Sequence, residues 1–487
     1  MGIVLKQSLR NTVITYVGFV IGAVNTLFLY TYILEPEYYG LVTFILATGA
    51  ILMPLMAFGT HNTLVRFYTT QSEESRDGFL TLMLLSPLLA IIPLALFTWI
   101  FKDAIGEFFS MENGLVKDYV WYVFLVGLAM AYFEVYYSWT KVQLKSVFGN
   151  LMKEVFARLG VLILLLALYF RWISLDFFLK ALVGVYLFRT LIMQLYAYSL
   201  RKRKLDFNFP KQTKEILIYS LLIILGGSAA VLLLEIDKFM INQFVALENV
   251  AFYGVAVYIA TVIIVPSRAM HQITYPLTAK LLGDGNSFEL ENLYKKSSLT
   301  LFIASGILFL LIVLNLNDLY LLLPSEYRNG FSIVFLIGLA KVFDSLLGNI
   351  NSILYNSKYY KTILLLGVLL AVTTIFLNLW LIPALGIEGA ALASFIAIFL
   401  FNCIKMTFVK VKFGLLPFGK GTFKIFATLL LMGFLFWQLN FPFHPILNIV
   451  LKSTIMLVMY LGILYRFDIS EDVSGLISKF LKRKTPQ

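Results

Sequence analysis

Residues 11–34 read NTVITYVGFVIGAVNTLFLYTYIL, a run of 24 residues without one charged side chain. About 20 apolar residues in an α-helix, at 1.5 Å per residue, cross the hydrocarbon core of a bilayer. Thirteen similar stretches follow, so the sequence predicts an all-α polytopic membrane protein with fourteen transmembrane helices. The predicted spans are 11–34, 41–60, 79–101, 119–139, 155–171, 176–198, 215–240, 250–271, 297–317, 331–352, 361–381, 387–409, 421–439 and 445–465.

Composition agrees with this reading. The chain has 487 residues, 60% of them hydrophobic and 14% charged, and its mean hydropathy is +0.86. A soluble protein carries roughly 25% charged residues. The links between spans are short, which leaves no room for a large soluble domain. The single cysteine, Cys403, lies inside a predicted span, which excludes a disulfide framework and a cysteine metal cluster.

The distribution of Lys and Arg predicts the orientation. With the N-terminus in the cytoplasm, thirty of the 39 Lys and Arg residues fall on inner segments and five on outer links. Such asymmetry is typical of membrane proteins and predicts cytoplasmic N- and C-termini. The run Arg201-Lys202-Arg203-Lys204 is interpreted as a topology anchor. The net charge of +12 is then explained by anionic lipid head groups as partners, and not by nucleic acid.

Two halves are predicted on either side of a basic loop. The predicted segments are an N-lobe at 1–200 with six spans, a cytoplasmic hinge loop at 201–214, a C-lobe at 215–412 with six spans, two further spans at 413–466 and a cytoplasmic tail at 467–487. Both lobes carry, in one order, a Tyr-Gly pair, a mid-span Pro and a His: Tyr39-Gly40, Pro54 and His61, then Tyr253-Gly254, Pro266 and His271. Parallel repeats of this kind are typical of transporters that rock around a central site.

The sequence contains no catalytic motif: no phosphate loop, no His-Glu-x-x-His, no nucleophile elbow, and only three His. An enzyme of surface-polymer assembly would need a clustered catalytic site on an outer loop, and no such cluster is present in the sequence. We therefore predict a transporter with no cofactor and no metal site.

Cations at membrane depth are the candidate substrate contacts, because a charge there is costly unless it faces a cavity or a partner. Lys341 lies in the middle of span ten and could pair with Asp344 at i+3 or line a cavity. Arg189 has no carboxylate at i±3 or i±4, so its counter-charge must come from another helix or from a ligand. Arg66 and Arg268 lie near the predicted inner mouth, where they could meet an anionic head group or extend to the interface.

Acidic residues at depth are the candidate coupling or gating groups. Asp237 and Lys238 cluster with Glu235 toward the outer half of span seven, either as an ion-coupling site or as a helix end that meets water. Glu134 in span four could be protonated during transport or pair with a cytoplasmic cation, and Asp344 is a further candidate. Lys452, early in span fourteen, is expected to extend outward to the interface.

Several motifs carry a family resemblance across nearly the whole chain. They are Lys6-Gln7-Ser8 with Asn11-Thr12, Gly59 through Leu64-Val65-Arg66, Ile236-Asp237-Lys238 followed by Val250-Ala251-Phe252-Tyr253-Gly254, Tyr275-Pro276-Leu277-Thr278-Ala279-Lys280-Leu281 after Pro266, and Ile382-Pro383 with Gly386-Ile387-Glu388-Gly389-Ala390-Ala391. In this order, they resemble the multidrug/oligosaccharidyl-lipid/polysaccharide flippase superfamily, and within it the bacterial polysaccharide-biosynthesis and O-antigen flippases.

The resemblance implies a V-shaped pair of six-helix lobes around a cationic cavity. It implies that a polyprenyl-diphosphate-linked oligosaccharide crosses the bacterial inner membrane by alternating access, alongside glycan-assembly enzymes. The driving force stays open among proton, sodium and membrane potential. Related lipid II flippases place Arg in their first two spans, whereas this chain has none there, which leaves Arg189, Lys341 and Arg268 as the expected diphosphate or sugar contacts. The alternative is a cation-coupled drug or metabolite antiporter of the same fold.

Overall fold

The computed structural model describes residues 3–200, 206–470 and 475. All regular secondary structure in this part of the chain is helical. The predicted topology anchor at 201–204 and most of the predicted tail lie outside the described residues. Because every long apolar run must satisfy its backbone hydrogen bonds internally in a bilayer, a helical structure is the expected solution.

The α-helices fall along the whole described chain. Those before residue 245 are α1 (Ile3–Ala23), α2 (Tyr30–Ile33), α3 (Pro36–Met56), α4 (Thr60–Phe67), α5 (Arg76–Leu85), α6 (Leu88–Ile100), α7 (Lys102–Phe109), α8 (Val120–Val142), α9 (Ser146–Leu151), α10 (Ala157–Tyr169), α11 (Leu175–Leu200) and α12 (Thr213–Phe244). Those after it are α13 (Glu248–Thr261), α14 (Val265–Gly283), α15 (Ser287–Leu314), α16 (Leu316–Leu321), α17 (Phe331–Leu346), α18 (Ile350–Tyr355), α19 (Tyr360–Leu385), α20 (Ile387–Phe413), α21 (Lys420–Trp437) and α22 (Pro445–Arg466).

Shorter helical segments connect some of these elements. Two π-helical segments, Val24–Leu29 and Met152–Phe156, join α1 to α2 and α9 to α10. Segments of 3-10 helix are Tyr68–Thr70, Gly114–Tyr119, Val262–Ile264 and Ser325–Tyr327. π-Helical turns inside longer helices often mark functional positions.

Ten helical segments in the described part of the chain are long and apolar enough to cross a membrane: Arg10–Ile33, Pro36–Met56, Arg76–Ile100, Gly114–Val142, Glu248–Gly283, Ser287–Leu314, Lys361–Leu385, Ile387–Phe413, Lys420–Trp437 and Pro445–Arg466. The prediction of an all-helical, multi-pass membrane protein is confirmed. The remaining four predicted spans, 155–171, 176–198, 215–240 and 331–352, are helical over most of their length. The count of fourteen and the cytoplasmic termini remain predictions.

Two compact units divide the chain. The first consists of Met1–Gly254 and Gly367–Ala390, and the second of Val255–Leu366 and Ala391–Gln487. In the first unit, α8 packs against α3 and α11, and α12 packs along α3. In the second, α15 packs against α14, α17 and α21, while α22 packs against α21 and α16. The predicted lobe boundaries at 200 and 215 remain a prediction.

The break between α3 and α4 lies where α12 comes close. Pro54 near the end of α3 cannot donate a backbone hydrogen bond, and the helix ends two residues later. Phe58 and Gly59 then take positive φ angles of 52° and 65°. A Cβ atom at position 59 would also collide with the Ser220 carbonyl oxygen. Glycine is therefore required at position 59, both for the turn and for the close approach of α12.

Gly40 in α3 makes a second close approach, to the link after α12. A Cβ atom at Gly40 would collide with the carbonyl oxygen of Leu247, which is backbone and cannot rotate away. We therefore expect Gly40→Ala to cost about 1–3 kcal/mol of stability, as overpacking does. The measurement is the thermal midpoint of the purified protein in detergent. Gly184→Ala in α11 is the control, since nothing lies within 4 Å of its Cβ, and an equal effect of both changes would contradict this reading.

Lys452 corrects one sequence expectation. Its side chain is only 2% exposed, and its ammonium donates a hydrogen bond to the Leu314 carbonyl oxygen at 2.7 Å, at the end of α15. Nearby, Asn448 donates to Asp318 at 3.2 Å. The expectation that Lys452 extends outward is wrong, because a cation at a helix C-terminus satisfies the last carbonyl groups. Lys452 thus fastens α22 to α15 within the second unit.

Candidate functional site

Arg189 is a buried cation held by aromatic rings. It lies in the middle of α11 and is 6% exposed. Its guanidinium carbon lies 4.1 Å from the ring centroid of Phe133 on α8 and 4.9 Å from that of Tyr186, one turn earlier on α11. The Nε atom is buried without a hydrogen-bond partner in the described structure. Ring faces attract a guanidinium electrostatically but do not neutralise its charge.

Within the described residues, no carboxylate lies within ion-pair distance of Arg189. Glu134 and Glu154 are its acidic neighbours. Each of them already pairs with another cation: Glu134 with Lys153 at 2.5 Å and Glu154 with Arg158 at 2.9 Å. The sequence predicts that the counter-charge for Arg189 comes from another helix or from a ligand. Among the described residues, no helix supplies it as an ion pair.

The surroundings of Arg189 carry an excess of positive charge. Lys153 belongs to the π-helical segment Met152–Phe156, and Lys141 lies over the Tyr137 ring at 3.8 Å. We define the basic cluster as Arg189, Lys153, Arg158 and Lys141 with the two carboxylates Glu134 and Glu154. The cluster contains four positive and two negative formal charges. For Glu134, the structure shows the second sequence alternative, a salt bridge with a cation predicted on the cytoplasmic side.

Asp237 forms a second buried polar site in the first unit. It is 6% exposed and lies on α12. The Tyr253 hydroxyl on α13 donates to one carboxylate oxygen at 2.5 Å, and the Asn378 amide on α19 donates to the other at 2.8 Å. The Asn378 Oδ1 atom is buried without a partner in the described structure. Lys238, the next residue, pairs with Glu235 at 2.6 Å.

The second unit contains a buried lysine that pairs with Asp344. Lys405 on α20 is 1% exposed, and its Nζ lies 3.7 Å from an Asp344 carboxylate oxygen. It also donates to the Asn351 side-chain oxygen at 3.1 Å and lies 4.4 Å from the Phe401 ring centroid. Lys341 lies one turn before Asp344 on α17 and is partly exposed. Asp344 thus has a cationic partner from a distant helix.

The two cations predicted at the inner mouth are exposed. Arg66 on α4 stacks over the Tyr219 ring at 4.4 Å, and Arg268 lies on α14. Arg66 and Arg189 belong to the first unit, whereas Arg268 and Lys341 belong to the second.

Sequence reasoning missed Lys153, Arg158 and Lys405 because they were counted as cations of the cytoplasmic rim. A signal for Lys405 was present, since it falls inside the predicted span 387–409. A signal for the stacking of Arg189 was present too, because Tyr186 lies at i−3, on the same face of α11.

Comparison with solved structures identifies the fold. The lipid II flippase MurJ, in an inward closed conformation, matches with a TM-score of 0.73 at 14% identity, over 95% of this chain and 100% of that one. An inward-facing multidrug resistance MATE family transporter of the MOP superfamily matches with a TM-score of 0.62 at 16% identity, over 84% of this chain and 98% of that one. A MATE transporter in complex with MaL6 gives 0.57 at 14% identity, over 85% and 97%. The protein thus has the fold of this class of membrane transporters and flippases.

A family model gives the closer assignment. The model for polysaccharide biosynthesis proteins matches residues 4–282, more than half of the chain. No curated protein matches the chain. The chain belongs to the polysaccharide biosynthesis protein family, as the sequence resemblance indicated.

Proposed function

We propose that the protein is a flippase that moves a polyprenyl-diphosphate-linked oligosaccharide across the bacterial inner membrane by alternating access. The oligosaccharide is an O-antigen or other surface-polysaccharide unit. The observation that carries the proposal is Arg189, a buried cation whose charge no described carboxylate pairs with. A charge in this position is costly, so its retention is explained by an anionic ligand.

The basic cluster suits a diphosphate. A diphosphate cannot cross hydrocarbon unshielded, because its desolvation cost is large. A guanidinium binds phosphate oxygens through a planar fork of donors, and the flanking rings of Phe133 and Tyr186 fix that plane while leaving the charge available. The two positive charges in excess would offset the charge of the bound diphosphate.

The predicted topology indicates how these contacts would serve transport from the cytoplasmic face to the outer face. In the proposed arrangement, fourteen spans place both termini in the cytoplasm, and lobes 1–200 and 215–412 rock around the substrate. The last two spans, 413–466, provide a surface for the isoprenoid tail. The enzymes that assemble the glycan supply the substrate at the cytoplasmic face.

Asp237 is the proposed coupling residue, for a proton or a sodium ion. The equivalent tyrosine of the first lobe, Tyr39, donates to the Thr26 backbone carbonyl at 3.3 Å, whereas Tyr253 donates to the Asp237 carboxylate. A buried carboxylate held by neutral donors, beside an amide oxygen without a partner, suits a cation that binds and leaves.

We expect Asp237→Asn to abolish ion-driven export while the protein stays folded. The amide keeps the size of the side chain and its hydrogen-bonding capacity but cannot carry the charge that attracts a cation. The measurement is export rate as a function of the imposed proton or sodium gradient. Lys180→Gln, which removes the exposed ion pair with Asp176 on α11, serves as the control. Unchanged gradient dependence in Asp237→Asn would remove Asp237 from coupling.

The function itself is tested by depletion. Cells depleted of the protein receive wild-type or Arg189→Ala plus Lys341→Ala copies, and lipid-linked oligosaccharide is measured at each membrane face. The proposal expects precursor to accumulate at the cytoplasmic face and only the wild type to clear it. Surface glycan that is unaffected by depletion would favour the alternative, a cation-coupled drug or metabolite antiporter, which would tolerate loss of both cations.

A further inference from the structure

A cleft of about 700 Å³ lies between the end of α14 and the start of α15, in the second unit. Its lining residues are Leu277, Lys280, Leu281, Asp284, Asn286, Glu289, Asn292, Leu293 and Lys296. On each helix, these positions follow the i, i+3, i+4, i+7 spacing of a single face. α14 packs against α15, but at these positions, near the turn of the hairpin, the two helices leave a space between them.

The turn that joins the two helices is well defined. Gly285 takes a φ of 67°, and the Asn286 side chain accepts a hydrogen bond from the Glu289 backbone N–H at 3.1 Å, which caps α15. The cleft is therefore framed by a fixed turn.

Charges of both signs line the cleft. Lys280 and Lys296 supply two cations, and Asp284 and Glu289 supply two carboxylates; all four are exposed. None of the four forms an ion pair with another described residue. On the outer side of the same helix, by contrast, Lys295 pairs with Glu291 at 2.5 Å.

Exposed apolar residues lie beside the cleft. In the predicted topology, α14 continues past the end of span 250–271 on the cytoplasmic side. Above the cleft, Ile273 and Leu277 lie four residues apart on α14 and are 61% and 45% exposed. An apolar strip on α14 therefore leads from the end of the predicted span toward the charged cleft.

We propose that this cleft binds the head group of an aminophospholipid such as phosphatidylethanolamine. The lipid phosphate lies between Lys280 and Lys296, the ammonium group meets Asp284 and Glu289, and an acyl chain follows Leu277 toward the membrane core. An anionic lipid without an amine would satisfy the lysines but face two carboxylates. Charge complementarity thus selects a zwitterionic head group with a free ammonium.

The test uses the full-length protein in nanodiscs of phosphatidylcholine that contain phosphatidylethanolamine or phosphatidylglycerol, with retained lipid measured by native mass spectrometry. Lys280→Gln plus Lys296→Gln is expected to lower retention of phosphatidylethanolamine about tenfold, because charge-assisted hydrogen bonds are lost. Asp284→Asn plus Glu289→Gln is expected to lower it similarly and to raise retention of phosphatidylglycerol.

The matched control is Glu291→Gln plus Lys295→Gln, an exposed charge pair on the same helix outside the cleft, which is expected to change nothing. The inference is overturned if the carboxylate variant retains phosphatidylethanolamine like the wild type, or if the wild type retains phosphatidylglycerol equally well. It is also overturned if no lipid is retained, which would leave the cleft to solvent or to another segment of protein. The readout does not depend on transport and so is independent of the proposed function.

Discussion

Arg189→Gln is expected to reduce export of lipid-linked oligosaccharide by roughly a hundredfold, the effect of losing charge-assisted hydrogen bonds to a buried anion. The guanidinium lies against Phe133 and Tyr186, and no described carboxylate pairs with it, so its charge is free for a diphosphate. Arg189→Lys keeps the charge but not the planar fork, and we expect intermediate export. Export rates in cells at matched protein levels provide the measurement.

Arg189→Gln is also expected to change the stability of the protein in a specific direction. Neutralising a buried charge that lacks an ion-pair partner removes a desolvation cost, so the thermal midpoint of Arg189→Gln should equal or exceed that of the wild type. Glu134→Gln should lower the midpoint, because Lys153 loses its partner. If Arg189→Gln is the less stable of the two, Arg189 is a structural residue and the substrate assignment fails.

Asn113→Ala is expected to open the outer side of the protein. The Asn113 amide donates to the Asn242 carbonyl and side-chain oxygens and to the Val245 carbonyl at 3.0–3.1 Å, and its oxygen accepts from the Leu247 N–H at 2.7 Å. Asn242, fully buried, donates in turn to the Phe109 carbonyl at 2.7 Å. The Asn113 side chain thus connects the segment after α7 to the end of α12 by hydrogen bonds.

An aromatic cluster supports this contact. Phe44 on α3, Phe109 on α7 and Phe239 on α12 have ring centroids 5.5–6.0 Å apart. In the predicted topology, all these residues lie toward the outer ends of their spans. The proposed movement of lobe 215–412 away from lobe 1–200 would break the Asn113 hydrogen bonds and separate these rings.

The measurement for Asn113→Ala is the labelling rate of a Leu247→Cys reporter, in a Cys403→Ser background, by an impermeant maleimide added outside. Several hydrogen bonds of about 1 kcal/mol each are lost, so labelling should rise at least tenfold, and export should slow because closure of the outer side is weakened. Asn249→Ala is the control, since among the described residues the Asn249 amide donates only to the nearby Ala246 carbonyl. Equal labelling in both variants would show that Asn113 does not control opening.

The helical membrane fold could be predicted from sequence because apolar run length is a direct physical requirement of the bilayer. The burial of Arg189 was predictable from its position in the middle of a span. The direction in which a long side chain points was not predictable. Lys405 turns inward toward Asp344, and Lys452 turns inward toward the Leu314 carbonyl. Both partners belong to helices that are far away in sequence. The π-helical segment at Val24–Leu29 likewise has no sequence signal.

Flipping can be measured directly with purified protein in liposomes that carry a polyprenyl-diphosphate-linked oligosaccharide. The measurement is the share of glycan that an impermeant glycosidase can reach from outside. Wild-type protein is expected to expose glycan from the inner leaflet, whereas Arg189→Gln protein is expected to expose only the outer-leaflet share. Equal accessibility in liposomes with wild-type protein and in protein-free liposomes would show that the protein does not flip this lipid.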